Sequence, residues 1–400
     1  MVSMKKIGIG LSLLAGSSFV QIKAMEPMVN VSVGEDALNL LEKELGAELI
    51  GLSKHSEMAV IRMPESELPR LSALMHEIFH RCGGFMIESD FVSAELDWQY
   101  ARLNAFKSDE NLYKIDQQDL VRMFMRSVDE SQIKSSIETL SGFRNRYYRS
   151  EHGVNSQVWL KNKWQSIAQD QESIQVDLFN HGAWSQPSVV LTWAGSEAPD
   201  EVIVLGGHGD SIAGWFPGNQ VHAPGADDNA SGISTITEVL RVLIEGGFQP
   251  KRTIKLMSYA AEEVGLRGSD EIAKLYQHQG VKVKGVMQLD MTNFDGGNWD
   301  IVLITDNTNQ EQNEFVGRLI DTYLPDLRWT TDQCGYACSD HASWHRQRYP
   351  VSFPFEAAFN EYNDAIHTSS DTLAQSDHHA EHAVPFAKLA TAFITEMSQP

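Results

Sequence analysis

The sequence predicts an α/β fold: a mixed, mostly parallel central sheet with helices on both faces, preceded by a small α+β unit. Two observations carry this reading. Beyond about residue 170, short apolar runs of strand length alternate with stretches of helical periodicity, the pattern of strands joined by crossover helices. Before about residue 110 the elements are shorter, and a polar stretch at 107–118 separates them from the rest.

In the amino-terminal part, residues 29–33 and 57–63 alternate like strands. Residues 37–45 and 65–81 have helical spacing, the second placing Leu68, Leu71, Leu74, Met75, Ile78 and Phe79 on one face. Helices follow at 130–140 and 156–169. Strand-like runs then occur at 188–193, 202–205, 253–259, 283–289, 301–304 and 351–353. Between them, residues 231–245 carry Ile233, Ile236, Val239, Leu240, Leu243 and Ile244 at helical spacing, with Gly246 and Gly247 as a stop. Ser269 is expected to cap a helix running towards Gly280, and Pro325 to stop one over 315–324.

The 400 residues suffice for one large domain and a smaller one, and 42% hydrophobic with 22% charged residues suits a packed core. A formal net charge of −22 repels phosphate backbones and anionic lipid, which argues against nucleic-acid partners. Residues 1–6 carry two lysines and no acid, 7–20 are apolar or small, and Ala24 offers a cleavage position, so 1–24 read as an export signal. The apolar stretch is too short to span a bilayer, and no other segment is apolar enough. The three cysteines are Cys82, Cys334 and Cys338. In an exported chain the last two, four apart, can close a small disulfide, can be reduced buried thiols, or can be half of a metal site.

In open α/β sheets ligands gather beyond the carboxyl ends of the strands. The residues there are ionisable. After 202–205 comes Gly206-Gly207-His208-Gly209-Asp210; after 253–259, Ala260-Ala261-Glu262-Glu263; after 283–289, Asp290. Gly225-Ala226-Asp227-Asp228-Asn229 precedes the helix at 231, and Ile366-His367-Thr368 lies in a late loop. Taken singly, each is a turn residue, a cap or a solvated acid. Together they put two imidazoles and several carboxylates on one edge, where the acids repel one another unless cations sit among them. Such mixed ligands suit zinc, with cobalt and manganese also possible.

These runs, in this order, resemble the bacterial leucyl aminopeptidase family of secreted co-catalytic dizinc exopeptidases. Cys334-Gly335-Tyr336-Ala337-Cys338 resembles its disulfide-bearing loop. The resemblance spans about residues 115–400. It implies a signal peptide at 1–24, a prodomain at 25–110 and a catalytic domain at 111–400. It implies two zinc ions: Asp227 bridging, His208 and Asp290 completing one site, Glu263 and His367 the other. Glu262 would be the general base, Asp210 would orient His208, Tyr336 would help stabilise the oxyanion, and Cys334 and Cys338 would pair. The Asp227–Asp228 peptide is expected to be cis. Gly209 stands where relatives carry a bulkier residue, and is expected to loosen the His208 loop. Met291, Phe355, Phe359, Tyr362 and Ile366 would form an apolar pocket for leucine-like amino-terminal residues. The partners implied are peptides with a free amino terminus, bound by a monomer, with no nucleic acid and no membrane after signal removal. Release from the cell and residence in the periplasm are both left open.

Other readings compete. His76-Glu77-Ile78-Phe79-His80 fits the H-E-x-x-H zinc signature of another protease class, but lies in the prodomain and lacks a third histidine at Met86. A non-enzymatic binding module would have lost ligands or Glu262. Carboxypeptidase or glutaminyl cyclase chemistry on a related fold would be separated by substrates with free and acetylated amino termini. Asp377, His378, His379 and His382 read as a helix surface.

Overall fold

A computed structural model describes residues 26–399 apart from 55–56, 80, 82, 104–111, 170 and 216–217. The expected export signal, His80, Cys82 and residues 107–111 of the expected boundary segment lie outside the described residues.

The amino-terminal unit comprises β1 (Met28–Gly34), α1 (Leu38–Leu45), β2 (Glu48–Leu52), β3 (Met58–Pro64), α2 (Leu68–Phe79), β4 (Met86–Glu88) and α3 (Phe91–Leu103). Its four strands pair antiparallel in the order β2-β3-β1-β4. Val31 and Val33 of β1, Ile61 and Met63 of β3, and Leu68, Leu71, Leu74 and Met75 of α2 form its core. Phe79 packs on that face as expected, whereas Ile78, expected there too, is 48% exposed.

The remainder runs α4 (Gln118–Met125), α5 (Glu130–Ser141), α6 (Glu151–Ala168), β5 (Ile174–Phe179), β6 (Ser188–Trp193), β7 (Ala198–His208), α7 (Gly232–Glu245), β8 (Arg252–Tyr259), α8 (Arg267–Gln279), β9 (Lys282–Gln288), β10 (Ile301–Ile304), α9 (Gln310–Tyr323), β11 (Trp329–Asp332), α10 (His341–Arg346), β12 (Val351–Phe355) and α11 (Ala383–Met397). Eight strands form one sheet, β11-β10-β12-β9-β7-β8-β6-β5. The pairs β7–β8, β7–β9, β9–β12 and β10–β11 are parallel, and the other three are antiparallel. The sheet is thus mixed and mostly parallel, as the alternation predicts.

The central strands are buried on both sides, which is why they read as continuous apolar runs. Ile203 and Leu205 of β7, Ile254 and Leu256 of β8 and Met287 of β9 turn to one face, into a core shared with α4–α7, α9 and α11. Val202, Val204, Met257, Tyr259 and Val286 turn to the other, against Ile272 and Ala273 of α8 and Trp344 of α10. Gly280 ends α8 in the left-handed conformation (φ 66°). Ser269 is not its cap: α8 begins at Arg267, and Ser269 Oγ donates back to Leu266 O at 3.1 Å. No helix among the described residues is long and apolar enough to cross a membrane.

Candidate metal centre and substrate pocket

Parallel pairing sets the carboxyl ends of β7, β8 and β9 side by side, so the residues that follow them share one edge. His208 closes β7, Glu262 and Glu263 follow β8, and Asp290 follows β9. Three non-glycine residues with positive φ flank these side chains or carry one: Ala261 (58°), Met291 (57°) and His367 (55°). Such backbone is costly and persists only where its surroundings enforce it.

The side chains converge. His208 Nε2 lies 3.0 Å from Asp228 Oδ1 and 3.3 Å from Asp290 Oδ1. His367 Nε2 lies 3.2 Å from Asp228 Oδ2 and 2.8 Å from Glu263 Oε2. One carboxylate, with an oxygen towards each imidazole, therefore sits between two half-sites. That carboxylate belongs to Asp228, which corrects the assignment of Asp227. Asp227 points the other way: its Oδ1 accepts the Asn293 amide N–H (3.1 Å) and its Oδ2 accepts Asn363 Nδ2 (3.2 Å). The 226–231 turn leaves helical geometry at Asp228 (φ −101°, ψ 95°), and this aims Asp228 inward. The cis peptide is Asp228–Asn229, one residue later than expected.

Asp210 Oδ1 stands 3.4 Å from His208 Nδ1, long for a hydrogen bond. Its carboxylate has a second engagement that sequence reading missed, accepting the amide N–H of Glu262 (3.0 Å) and of Glu263 (3.2 Å). Asp371 likewise accepts the N–H groups of Asp227 (3.0 Å) and Asp228 (3.1 Å). Ser339 Oγ donates to Asp290 Oδ2 at 2.6 Å. No motif announces Asp371 or Ser339; only the fold brings them here. A Cβ on Gly209 would meet Gln157 Nε2 at 2.0 Å and Ser258 Oγ at 2.4 Å, so a bulkier residue there requires those two side chains to shift.

Burial and crowding dominate the electrostatics. Desolvation, with the neighbouring carboxylates Asp340, Glu263 and Asp290, pushes Glu262 well above the usual carboxylate range. Burial and then Asp228 raise Glu263 to about 7. Burial alone would lower the imidazoles, but the surrounding acids raise His208 well above its ordinary value and His367 to about 10. Asp228 falls below the carboxylate range because its hydrogen bonds and charge attraction to both imidazoles outweigh its desolvation. Glu262 is fully buried, and neither carboxylate oxygen has a hydrogen-bond partner among the described residues; the same holds for Asp290 Oδ1. Unsatisfied buried polar atoms of this kind call for an explanation, and the donor set fits a pair of divalent cations of the zinc type.

Beside the cluster, Met291, Phe355, Phe359 and Tyr362 line an apolar cleft together with Asp290, Ile304, Phe353 and Cys338. Ile366 is not in its wall but packs in the same apolar cluster. Ile304 and Phe353 were missed, although both sit in the apolar runs of β10 and β12. Cys334 and Cys338 are disulfide-bonded (S–S 2.08 Å), and the loop they close carries Tyr336, buried and packed 5.8 Å from the Phe359 ring.

The amino-terminal unit covers this edge. The His76 ring lies 4.8 Å from that of His367, and the Arg81 guanidinium lies 5.6 Å from the Tyr336 ring centroid. A Cβ on Gly83 would be 3.8 Å from Glu262 Oε1. Glu88 pairs with Arg346 at 2.6 Å with both side chains buried, and Glu65 pairs with Arg267 (2.9 Å) and Arg149 (3.0 Å). Of the H-E-x-x-H residues, His76 reaches the centre from outside and Glu77 faces a separate cleft with Tyr362 and Asp364. Away from the centre, Ser188, His181 and Glu271 have the order of a nucleophile triad (2.7 and 2.8 Å). Ser188 is fully buried and accepts the Ala260 N–H, so this trio ties strands together.

Residues 188–392 match the model of peptidase family M28. A probable aminopeptidase of Saccharomyces cerevisiae is 35% identical over 279 residues, covering 67% of this chain and 74% of that protein. Leucine aminopeptidase 1 of Pyrenophora tritici-repentis is 37% identical over 273 residues, 65% of this chain and 69% of that one. The crystal structure of the Legionella pneumophila LapA aminopeptidase superposes with a TM-score of 0.80 at 29% identity, over 94% of this chain and 99% of that one, which takes in most of the amino-terminal unit. A mixed sheet with an imidazole–carboxylate centre at its strand ends thus falls in a known class of peptide hydrolases. The chain belongs to peptidase family M28, and the leucyl aminopeptidase resemblance of its motifs holds.

Proposed function

We propose that the chain is a dizinc aminopeptidase that removes leucine and other large apolar residues from peptides with a free amino terminus. We further propose that it is exported as a monomeric precursor whose amino-terminal unit is a propeptide. The observation that carries the reading is Glu262: a buried carboxylate without a hydrogen-bond partner among the described residues, beside two half-sites joined by Asp228 and next to an apolar cleft.

His208 and Asp290 would hold one metal ion, His367 and Glu263 the other, and Asp228 both. Bound there, zinc supplies Lewis acidity, polarising the scissile carbonyl and acidifying a water. The protein's own groups do the rest. Glu262, held at an elevated pKa by burial, takes the proton of the attacking water and returns it to the departing amine. Asp210 fixes Glu262 for this by accepting its backbone N–H. The Tyr336 hydroxyl donates to the oxyanion as it develops. The first side chain of the substrate enters the cleft of Met291, Ile304, Phe353, Phe355, Phe359 and Tyr362. Its α-ammonium is drawn to the acidic cluster, which restricts cleavage to the first residue.

In the uncut chain Gly83 lies against Glu262 and His76 against His367, where a peptide would lie. Removing the amino-terminal unit is therefore expected to raise activity.

The test compares the chain lacking its export signal, before and after cleavage between the units, with Glu262→Ala. Substrates are a leucyl chromogenic amide and its N-acetylated twin. The expected result is hydrolysis of the unblocked amide alone, higher after cleavage, lost on chelation and restored by zinc. Glu262→Ala should fall by about 10²–10⁴-fold. Turnover of the acetylated amide, or full activity in Glu262→Ala, would overturn the mechanism.

A further inference from the structure

We infer that Arg146 is the positioning residue that sets the separation of the two metal-bearing loops; the inference rests on the two-metal reading above. Arg146 lies just before α6 and is 1% exposed. A buried arginine normally has a carboxylate facing its fork. This one gives its side-chain hydrogen bonds to main-chain carbonyls. Nε donates to Gly209 O (3.1 Å), Nη1 to Pro224 O (2.5 Å) and Leu140 O (3.3 Å), and Nη2 to Gly225 O (2.8 Å) and, more weakly, Asp228 O (3.4 Å). Five carbonyls match the five N–H donors of a guanidinium.

The identity of those carbonyls is the point. Gly209 lies between His208 and Asp210, and Pro224, Gly225 and Asp228 belong to the turn that presents the shared carboxylate. One rigid, planar fork therefore joins the β7 loop to the 224–228 turn, and its width fixes how far the His208 imidazole stands from Asp228. The backbone of the same residue adds to the frame: Arg146 N–H donates to Ser211 Oγ (3.0 Å), which itself donates to Ala223 O (2.8 Å). A second consequence is electrostatic. The charge sits where Asp371, Asp228, Asp210 and Glu263 all act on it, so a permanent cation shares the cavity of acids without spending a carboxylate on pairing. Lysine has the charge but only three donors on a single atom, and cannot bridge both loops. Gly225, left-handed at φ 52°, has no room for a side chain in this frame: a Cβ there would meet Asp228 O at 2.3 Å and Arg146 Nη2 at 2.7 Å.

The experiment measures zinc affinity by chelator competition, and the visible spectrum of the cobalt-loaded form, for the parent, Arg146→Lys and Arg146→Ala chains, with folding followed by circular dichroism. Outer residues that orient metal ligands typically govern about 10–100-fold in affinity. The expected result is folded variants whose zinc binding is weaker by that factor, with an altered cobalt spectrum, lysine rescuing little of the loss. Folded variants with parental zinc affinity and spectrum would overturn the inference. So would failure of both variants to fold in the presence of zinc, since that places the role of Arg146 in the fold rather than in metal spacing. A parent that binds no zinc would remove the metal reading itself and this inference with it, whereas a zinc-binding parent with equally tight variants would remove only the inference.

Discussion

Asp227 and Asp228 are neighbours of identical chemistry, and exchanging each for asparagine separates them. Asp228 directs Oδ1 to His208 Nε2 (3.0 Å) and Oδ2 to His367 Nε2 (3.2 Å). Asparagine at 228 would turn an NH₂ group, a donor, towards one half-site and remove a negative charge from both. Removing one partner from a buried charge cluster costs about 3–5 kcal/mol. At about 1.36 kcal/mol per tenfold, that is roughly two to almost four orders of magnitude in zinc affinity. Asp227 instead accepts from Asn293 N and Asn363 Nδ2, and shares a hydrogen bond with the buried Glu356 carboxyl. An amide there disturbs one buried hydrogen bond, about 1–3 kcal/mol of stability, and its effect on zinc should not exceed the roughly tenfold lower end for residues behind the ligands. Both chains should be purified folded, stripped, and titrated with zinc against a chromogenic chelator, with melting curves recorded with and without metal. The expected result is that Asp228→Asn loses tight zinc binding and the metal-induced rise in Tm, while Asp227→Asn keeps both at a lower overall Tm. The reverse pattern would refute the geometric argument and return the bridging role to Asp227.

Two further outcomes are expected. Glu88→Ala removes the acid from the buried pair that fastens the amino-terminal unit to Arg346, a change costing about 3–5 kcal/mol at such a site; uncut Glu88→Ala protein should hydrolyse leucyl amides at least several-fold faster than the uncut parent, and an unchanged rate would show that this pair does not hold the cover in place. Burial lowers the pKa of His341 to about 3 and of His345 to about 4, so between those values and the ordinary 6.5 the unfolded chain binds more protons than the folded one. Stability should therefore fall as pH drops from about 6.5 towards 4, by roughly 2 kcal/mol per histidine at pH 5. Denaturant titrations at pH 5 and 7 check this, and a His341→Gln chain with the same pH slope as the parent would count against it.

The strand-end rule found the centre because it depends on what sequence displays well: an apolar run, then an ionisable residue. It could not choose between Asp227 and Asp228. Each follows Gly225 within a few residues, and which one turns inward is decided by φ and ψ at 228, which no neighbouring residue type dictates. Helix α11 escaped notice for a different reason. Nearly every side chain from Phe386 to Met397 is buried, so it lacks the polar stripe that makes a helix visible as a period. Helix α9 was found late in its course, since its first turn is polar and its start is marked by Asn309, whose side chain accepts the Gln312 N–H.

Arg146 shows the deeper limit. It stands in Phe143-Arg144-Asn145-Arg146-Tyr147-Tyr148-Arg149, where three arginines look alike. Arg144 reaches Gln220 O from an exposed position, Arg149 pairs with Glu65 of the amino-terminal unit, and only Arg146 turns inward. Arginine is almost never fully buried without a carboxylate, so a reading by residue type assigns all three to the surface. What distinguishes Arg146 is a set of carbonyls from two distant loops, and main-chain acceptors have no signature in the sequence. The ligands of this centre are therefore legible because they are side chains, whereas the frame that spaces them is built largely from backbone and becomes visible only once the chain has folded.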